Sequence, residues 1–146
     1  MTTNEFDQIF PIGPANDAYA QYFTGQSYNA LLTDGPVPVS NITFEPCCRN
    51  NWHIHHGTNG GGDQILMCTA GSGWYQAAGE EPVSMVPGTV IRVPAGTTHW
   101  HGAKADSWFS HVAFITPGDN VSNEWVDPVT DEEYDKLPAS ENGNNA

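Results

Sequence analysis

Eleven prolines and fifteen glycines leave this 146-residue chain little room for a long helix. Between residues 37 and 116 they cut it into short runs rich in β-branched and aromatic residues: VPVSNITF, WHIHH, QILMCTAG, GWYQAAG, TVIRVP, THWHGA and WFSHVAFI. Proline removes a main-chain donor and glycine weakens any regular element around it, so both collect where strands end. Turn signals every eight to twelve residues or so, with no 3.6-residue apolar period, specify antiparallel strands closed into a sandwich or barrel. Short helices fit only near the ends, at NDAYAQYF and DPVTDEEYDKL, where Thr130 and Glu133 have the spacing of a capping box.

The length suits one domain. The sequence divides into an N-terminal arm (1–36), a barrel (37–116) and an acidic C-terminal segment (117–146). From about residue 138 the segment PASENGNNA has almost nothing apolar to bury and is expected to be flexible. Seventeen acidic residues against four basic ones give a net charge of −13, a field that repels nucleic acid and anionic membrane surfaces. No apolar run is long enough to span a bilayer and no leader pattern opens the chain, so a cytoplasmic protein is expected. Cys47, Cys48 and Cys68 make neither a paired framework nor a CxxC zinc spacing and read as reduced thiols, with a link from Cys47 or Cys48 to Cys68 as the alternative.

All six histidines fall between residues 53 and 111, inside the expected sheet. Alternate side chains of a strand share a face, so His53 pairs with His55 and His99 with His101, while His56 points the other way. A lone histidine is most simply a ring satisfied by main-chain groups. Two H-x-H pairs on two strands are harder to explain so, because imidazoles at i and i+2 converge, and neutral imidazole is the commonest transition-metal ligand.

The spacing of the surrounding residues carries more. Cys47 is followed by His53-Ile54-His55, then by a glycine-rich loop to Gln64 and on to Gly71; a second block, GTVIRVPAGTTH, places Gly88, Pro94, Ala95 and Gly96 ahead of His99. This two-part pattern resembles the cupin superfamily, over about residues 37 to 116. The resemblance implies an antiparallel double-stranded β-helix, the jelly-roll barrel. It also implies one divalent transition metal per chain, held by His53, His55, Gln64 and His99. Two departures stand out. The loop before Gln64 is longer than usual, which leaves Asp63 as a competing ligand, and Cys47 stands where the family usually has glycine.

Three imidazoles and an amide leave the cation's charge undiminished, which favours Lewis-acid chemistry; Mn, Fe, Co, Ni and Zn all accept such donors. His101 and His111 are then left over as candidate general bases. Within the superfamily the chain most resembles small single-domain bacterial cupins that include manganese-dependent hydroxynitrile lyases, a group often labelled carboxymuconolactone decarboxylase-related. That resemblance makes manganese the first candidate. It implies that a cyanohydrin hydroxyl binds the metal, a histidine takes its proton, and the bond to cyanide breaks to leave an aldehyde or ketone. The pocket for this small-molecule substrate would be apolar, with Ser40, Ile42, Phe44, Leu66 and Ile115 of the right parity for its walls. A metal-dependent dioxygenase and a non-catalytic small-molecule-binding cupin are the alternatives. Exposed sheet edges suggest a homodimer or homotetramer.

Overall fold

Buried and partly exposed side chains alternate without a break along Gln64–Gly71, the signature of a strand with one face in a core. The structure, a computed structural model, describes residues 6–137. Its strands are β1 (Phe23–Thr24), β2 (Ser27–Thr33), β3 (Val39–Phe44), β4 (Arg49–Asn50), β5 (His53–Thr58), β6 (Gln64–Gly71), β7 (Gly73–Ala77), β8 (Val83–Met85), β9 (Val90–Val93), β10 (His99–Ala103), β11 (Phe109–Ile115) and β12 (Asp119–Trp125). One sheet runs β2-β3-β11-β6-β9; the other runs β1-β4-β10-β5-β12, with β7 on β10 and β8 on β7. The strand pairs are antiparallel. The expected all-β double-stranded β-helix is what forms.

Phe44, Leu66, Met85, Val93 and Phe109, almost wholly buried, join the two sheets in the main core. A second cluster, Trp74, Trp100, Val129 and Tyr134, lies apart from the first. It depends on the C-terminal segment. Thr130 caps helix α1 (Asp131–Asp135) through the reciprocal bonds of a capping box with Glu133. The Tyr134 hydroxyl then donates to the Ala103 carbonyl at 2.6 Å, and the buried Arg49 guanidinium stacks on the Tyr134 ring while bonding the Val129 carbonyl and Asp131. The N-terminal NDAYAQYF forms a 3₁₀ helix, Asp17–Tyr22.

The barrel is therefore larger than the span 37–116 expected from sequence. β2 pairs along β3, and β12 pairs along β5, so parts of both expected tails are sheet. β12 was hard to see because DNVSNEW is polar: as an edge strand it is largely exposed and has no apolar alternation to betray it. The expected flexibility from about 138 lies outside the described residues. None of the described helices is long and apolar enough to cross a membrane.

Two backbone features shape the site. Gly96 takes φ +85° in the turn before β10, and its N–H donates to the His55 carbonyl at 2.8 Å, tying the two histidine strands together. Cys47, at the position where the family usually has glycine, adopts φ 72°, so the left-handed backbone is kept and a cysteine occupies it. All three cysteines are free, with Cys48 and Cys68 buried and Cys47 exposed.

Candidate active site

β5 and β10 lie side by side with His99 opposite His53, which brings their ring centroids to 4.2 Å. Strand parity does the rest: His53, His55, His99 and His101 are all buried, whereas His56 faces outward and bonds Glu124 at 2.8 Å. Gln64 heads β6 in the opposite sheet and reaches across the barrel. Its Oε1 lies 3.0 Å from Nε2 of His99 and 3.2 Å from Nε2 of His55. Asp63 turns away: its carboxylate accepts from Arg92 Nε and from the Ala95 N–H, each at 2.9 Å. The long loop thus delivers Gln64, while Asp63 anchors the turn of the second motif.

The outer nitrogens of three rings are all engaged. His53 Nδ1 lies 2.8 Å from the Asn51 carbonyl, His99 Nδ1 3.0 Å from the Thr97 carbonyl, and His55 Nδ1 2.6 Å from Asn123 Oδ1. A carbonyl only accepts, so each Nδ1 carries the proton and each neutral ring presents a bare Nε2 to the interior. A second proton is disfavoured. Burial pushes His53 well below its usual pKa, with the nearby His99 charge next; it lowers His55 against the bonds from Asn123 and Gln64; and it takes His99 to about 4. Gln64 Oε1 and the Nε2 atoms of His55 and His99 thus converge on one point inside the barrel. A cation satisfies that arrangement, so the donor set fits a divalent metal.

One ring nitrogen each from His53, His99 and His101 also lie within 4.8 Å of one another, a three-histidine group at metal-binding distance. His101 differs from the others in its partner. Its Nδ1 lies 3.0 Å from Nε2 of His111, on β11 of the facing sheet, instead of against a carbonyl. Asn50 Nδ2 sits 3.3 Å from both His101 ring nitrogens, and Asn50 Oδ1 accepts the His101 N–H at 3.0 Å. Both rings are enclosed. Burial, then the neighbouring His111, pushes His101 well below its usual pKa, and burial takes His111 to about 3. Nδ1 of His111 has no hydrogen-bond partner.

A cavity of about 320 Å³ opens onto these groups. Ser40, Ile42 and Ile115 line it, together with His53, His55, Gln64, His101 and His111. Phe44 and Leu66, also expected in the wall, do not. Both are fully buried in the inter-sheet core, Phe44 packing behind the pair with its ring 6.1 Å from His101 and 5.4 Å from His111. Parity assigns a face, and the barrel's cavity ends before that face does. Sequence reasoning missed Asn50, Asn123 and Trp125, which also line the cavity. Asn50 is adjacent to the first motif and could have been tested for parity; the other two sit on β12, which gave no strand signal.

No protein-family model matches the chain. It is 35% identical over 119 residues to an (R)-mandelonitrile lyase from Granulicella tundricola, covering 79% of this chain and 87% of that protein. A cupin-like protein from Thermotoga maritima superposes with a TM-score of 0.80 at 33% identity, covering 90% of this chain and 97% of its own. The polyketide cyclase RemF from Streptomyces resistomycificus shares the fold at a TM-score of 0.58 and 13% identity, over 92% and 89% of the two chains. With the strand order, the histidine motifs and these likenesses together, the chain belongs to the cupin superfamily, as a small cupin resembling hydroxynitrile lyases.

Proposed function

We propose that the protein is a metal-dependent lyase that cleaves a small α-hydroxynitrile into an aldehyde or ketone and cyanide. His53, His55, Gln64 and His99 would hold one divalent ion, manganese first among the candidates, and His101 with His111 would carry the proton. The observation that carries this reading is the 3.0 Å contact between the two remaining rings, beside the four donors and open to the cavity. An ion ligated by neutral groups supplies a Lewis acid of full charge.

The residues of the chain account for the rest. With its Nδ1 turned to His111, His101 would accept the substrate's hydroxyl proton at Nε2, the substrate replacing the 3.3 Å contact from Asn50 Nδ2. As that proton leaves, the O–H electrons form the carbonyl, and the pair of the C–C bond departs with cyanide. The proton returns from His101 to cyanide, so the ring ends neutral and hydrogen cyanide is released. Both rings start uncharged because they are buried, which is the state a proton acceptor needs. His111 acts from behind, holding His101 Nδ1 so that the charge formed in passing is shared between two rings. Ile42, Ala113 and Ile115 give the cavity an apolar wall. Its volume is at the small end of the usual range of about 300–1,000 Å³, as a compact substrate requires.

The reading includes a homodimer or homotetramer, since β2 is a sheet edge and carries Leu31 more than half exposed. It also includes residence in the cytoplasm, where three free thiols stay reduced. The test is cyanide release from mandelonitrile by manganese-loaded and metal-stripped protein. Faster release by the loaded form is expected. No release, accompanied by iron-dependent oxygen uptake on a small organic substrate, would replace the lyase with a dioxygenase; neither activity would leave a binding protein.

A further inference from the structure

His53 and His99 are each oriented by their own strand, through the carbonyl two residues earlier, Asn51 for one and Thr97 for the other. His55 is not. The residue two before it is His53, within the same strand, and the acceptor at its Nδ1 comes instead from Asn123, 68 residues away in sequence and directly opposite it in the β5–β12 register. The bond is the shortest of the three at 2.6 Å. Asn123 also differs from a carbonyl in kind, because an amide can present either Oδ1 or Nδ2. With Oδ1 inward, His55 keeps its proton on Nδ1 and offers Nε2 to the interior. With Nδ2 inward, the proton moves to Nε2, where Gln64 Oε1 accepts it, and the nitrogen is closed to a metal.

We infer that Asn123 is a positioning residue: by accepting the Nδ1 proton of His55 it selects the tautomer that makes His55 a metal ligand, so that β12, an edge strand outside both histidine motifs, sets metal affinity. This role rests on the ligand set proposed above. Asn123 is otherwise exposed, so a substitution removes the bond without opening the core. Trp125, two residues on and opposite His53, packs its ring 5.0 Å from that histidine and stacks on Tyr22 at 4.4 Å, which keeps this end of β12 against the site.

The experiment compares the full chain with Asn123→Leu and Asn123→Asp in two measurements. Nitrogen-15 spectra of metal-free protein labelled at histidine should show His55 as a single Nδ1–H tautomer in the parent and the Asp variant, and as a mixture in the Leu variant. Manganese titration, read by the resonance of the free ion, should show affinity reduced about tenfold to a hundredfold in Asn123→Leu and recovered in Asn123→Asp. A Leu variant with the parent's tautomer and affinity would overturn the role, as would an Asp variant as weak as the Leu variant. Absence of manganese binding by the parent chain would instead bring down the ligand set, and this role with it. Parent binding with indistinguishable variants would bring down this role alone.

Discussion

Nε2 of His111 lies 3.0 Å from Nδ1 of His101, although the two rings come from facing sheets, and both are buried at the wall of the cavity. The contact leaves each ring one nitrogen for other use. In His111 that nitrogen is unpartnered. Replacing either ring should therefore separate proton transfer from metal binding. His101→Ala and His111→Ala are expected to retain the metal, and at least one of them to lower turnover by roughly a hundredfold or more. Metal analysis beside steady-state cyanide release checks both halves; loss of metal in His101→Ala would move that ring into the ligand set.

Removing a ligand should do the opposite. Purified protein from metal-supplemented medium is expected to carry about one divalent ion per chain, and His53→Ala or His99→Ala to lose most of it, because neither remaining ring can take over the missing direction. Elemental analysis decides this. A metal-free parent protein would refute the assignment of all four donors.

The metal-free protein should weaken in mild acid. His99 at about 4 and His111 at about 3 are held down chiefly by burial, whereas the unfolded chain returns them to about 6.5. Below pH 6.5 the unfolded state then binds more protons than the folded one. The stability these rings contribute is complete above that value, and it is lost progressively as pH falls toward their folded pKa values, by up to about 1.4 kcal/mol per pH unit for each ring. Urea midpoints of stripped protein at pH 7.5 and 5.5 should differ accordingly, the lower pH giving the lower midpoint. Equal midpoints would mean that the rings are not buried neutral in the folded chain.

Cys47 holds a left-handed backbone that disfavours any residue with a Cβ, by about 1–2 kcal/mol, against the roughly 0.5–1 kcal/mol of extra chain entropy that glycine gives up on folding. Its Sγ lies a weak 3.5 Å from the Ala105 carbonyl and also contacts the Tyr134 hydroxyl. Cys47→Gly is thus expected to raise stability by about 0.5–1 kcal/mol and leave the site unchanged. Thermal unfolding at fixed metal content measures it; a destabilised variant would show that the thiol contact outweighs the backbone strain.

How much of the site could be read without coordinates follows from which interactions are local. The two-residue period of a strand is covalent geometry, so the common face of His53 and His55, that of His99 and His101, and the outward turn of His56 were already determined by the sequence. The same holds for the Thr130 and Glu133 cap, whose partners are three residues apart. Parity states a side chain's face and nothing about its depth. Phe44 and Leu66 have the right parity for the wall and yet sit in the core, because the curvature of two facing sheets decides where a cavity stops. Arg92 and the Ala95 N–H, from a strand and a turn far along the chain, draw the Asp63 carboxylate outward, while Gln64 Oε1 reaches His55 and His99. Asn123 carries no periodic signal, since an exposed edge strand needs no apolar face. Only the antiparallel register of β12 against β5 brings it opposite His55, and long-range pairing of that kind is a property of the closed barrel.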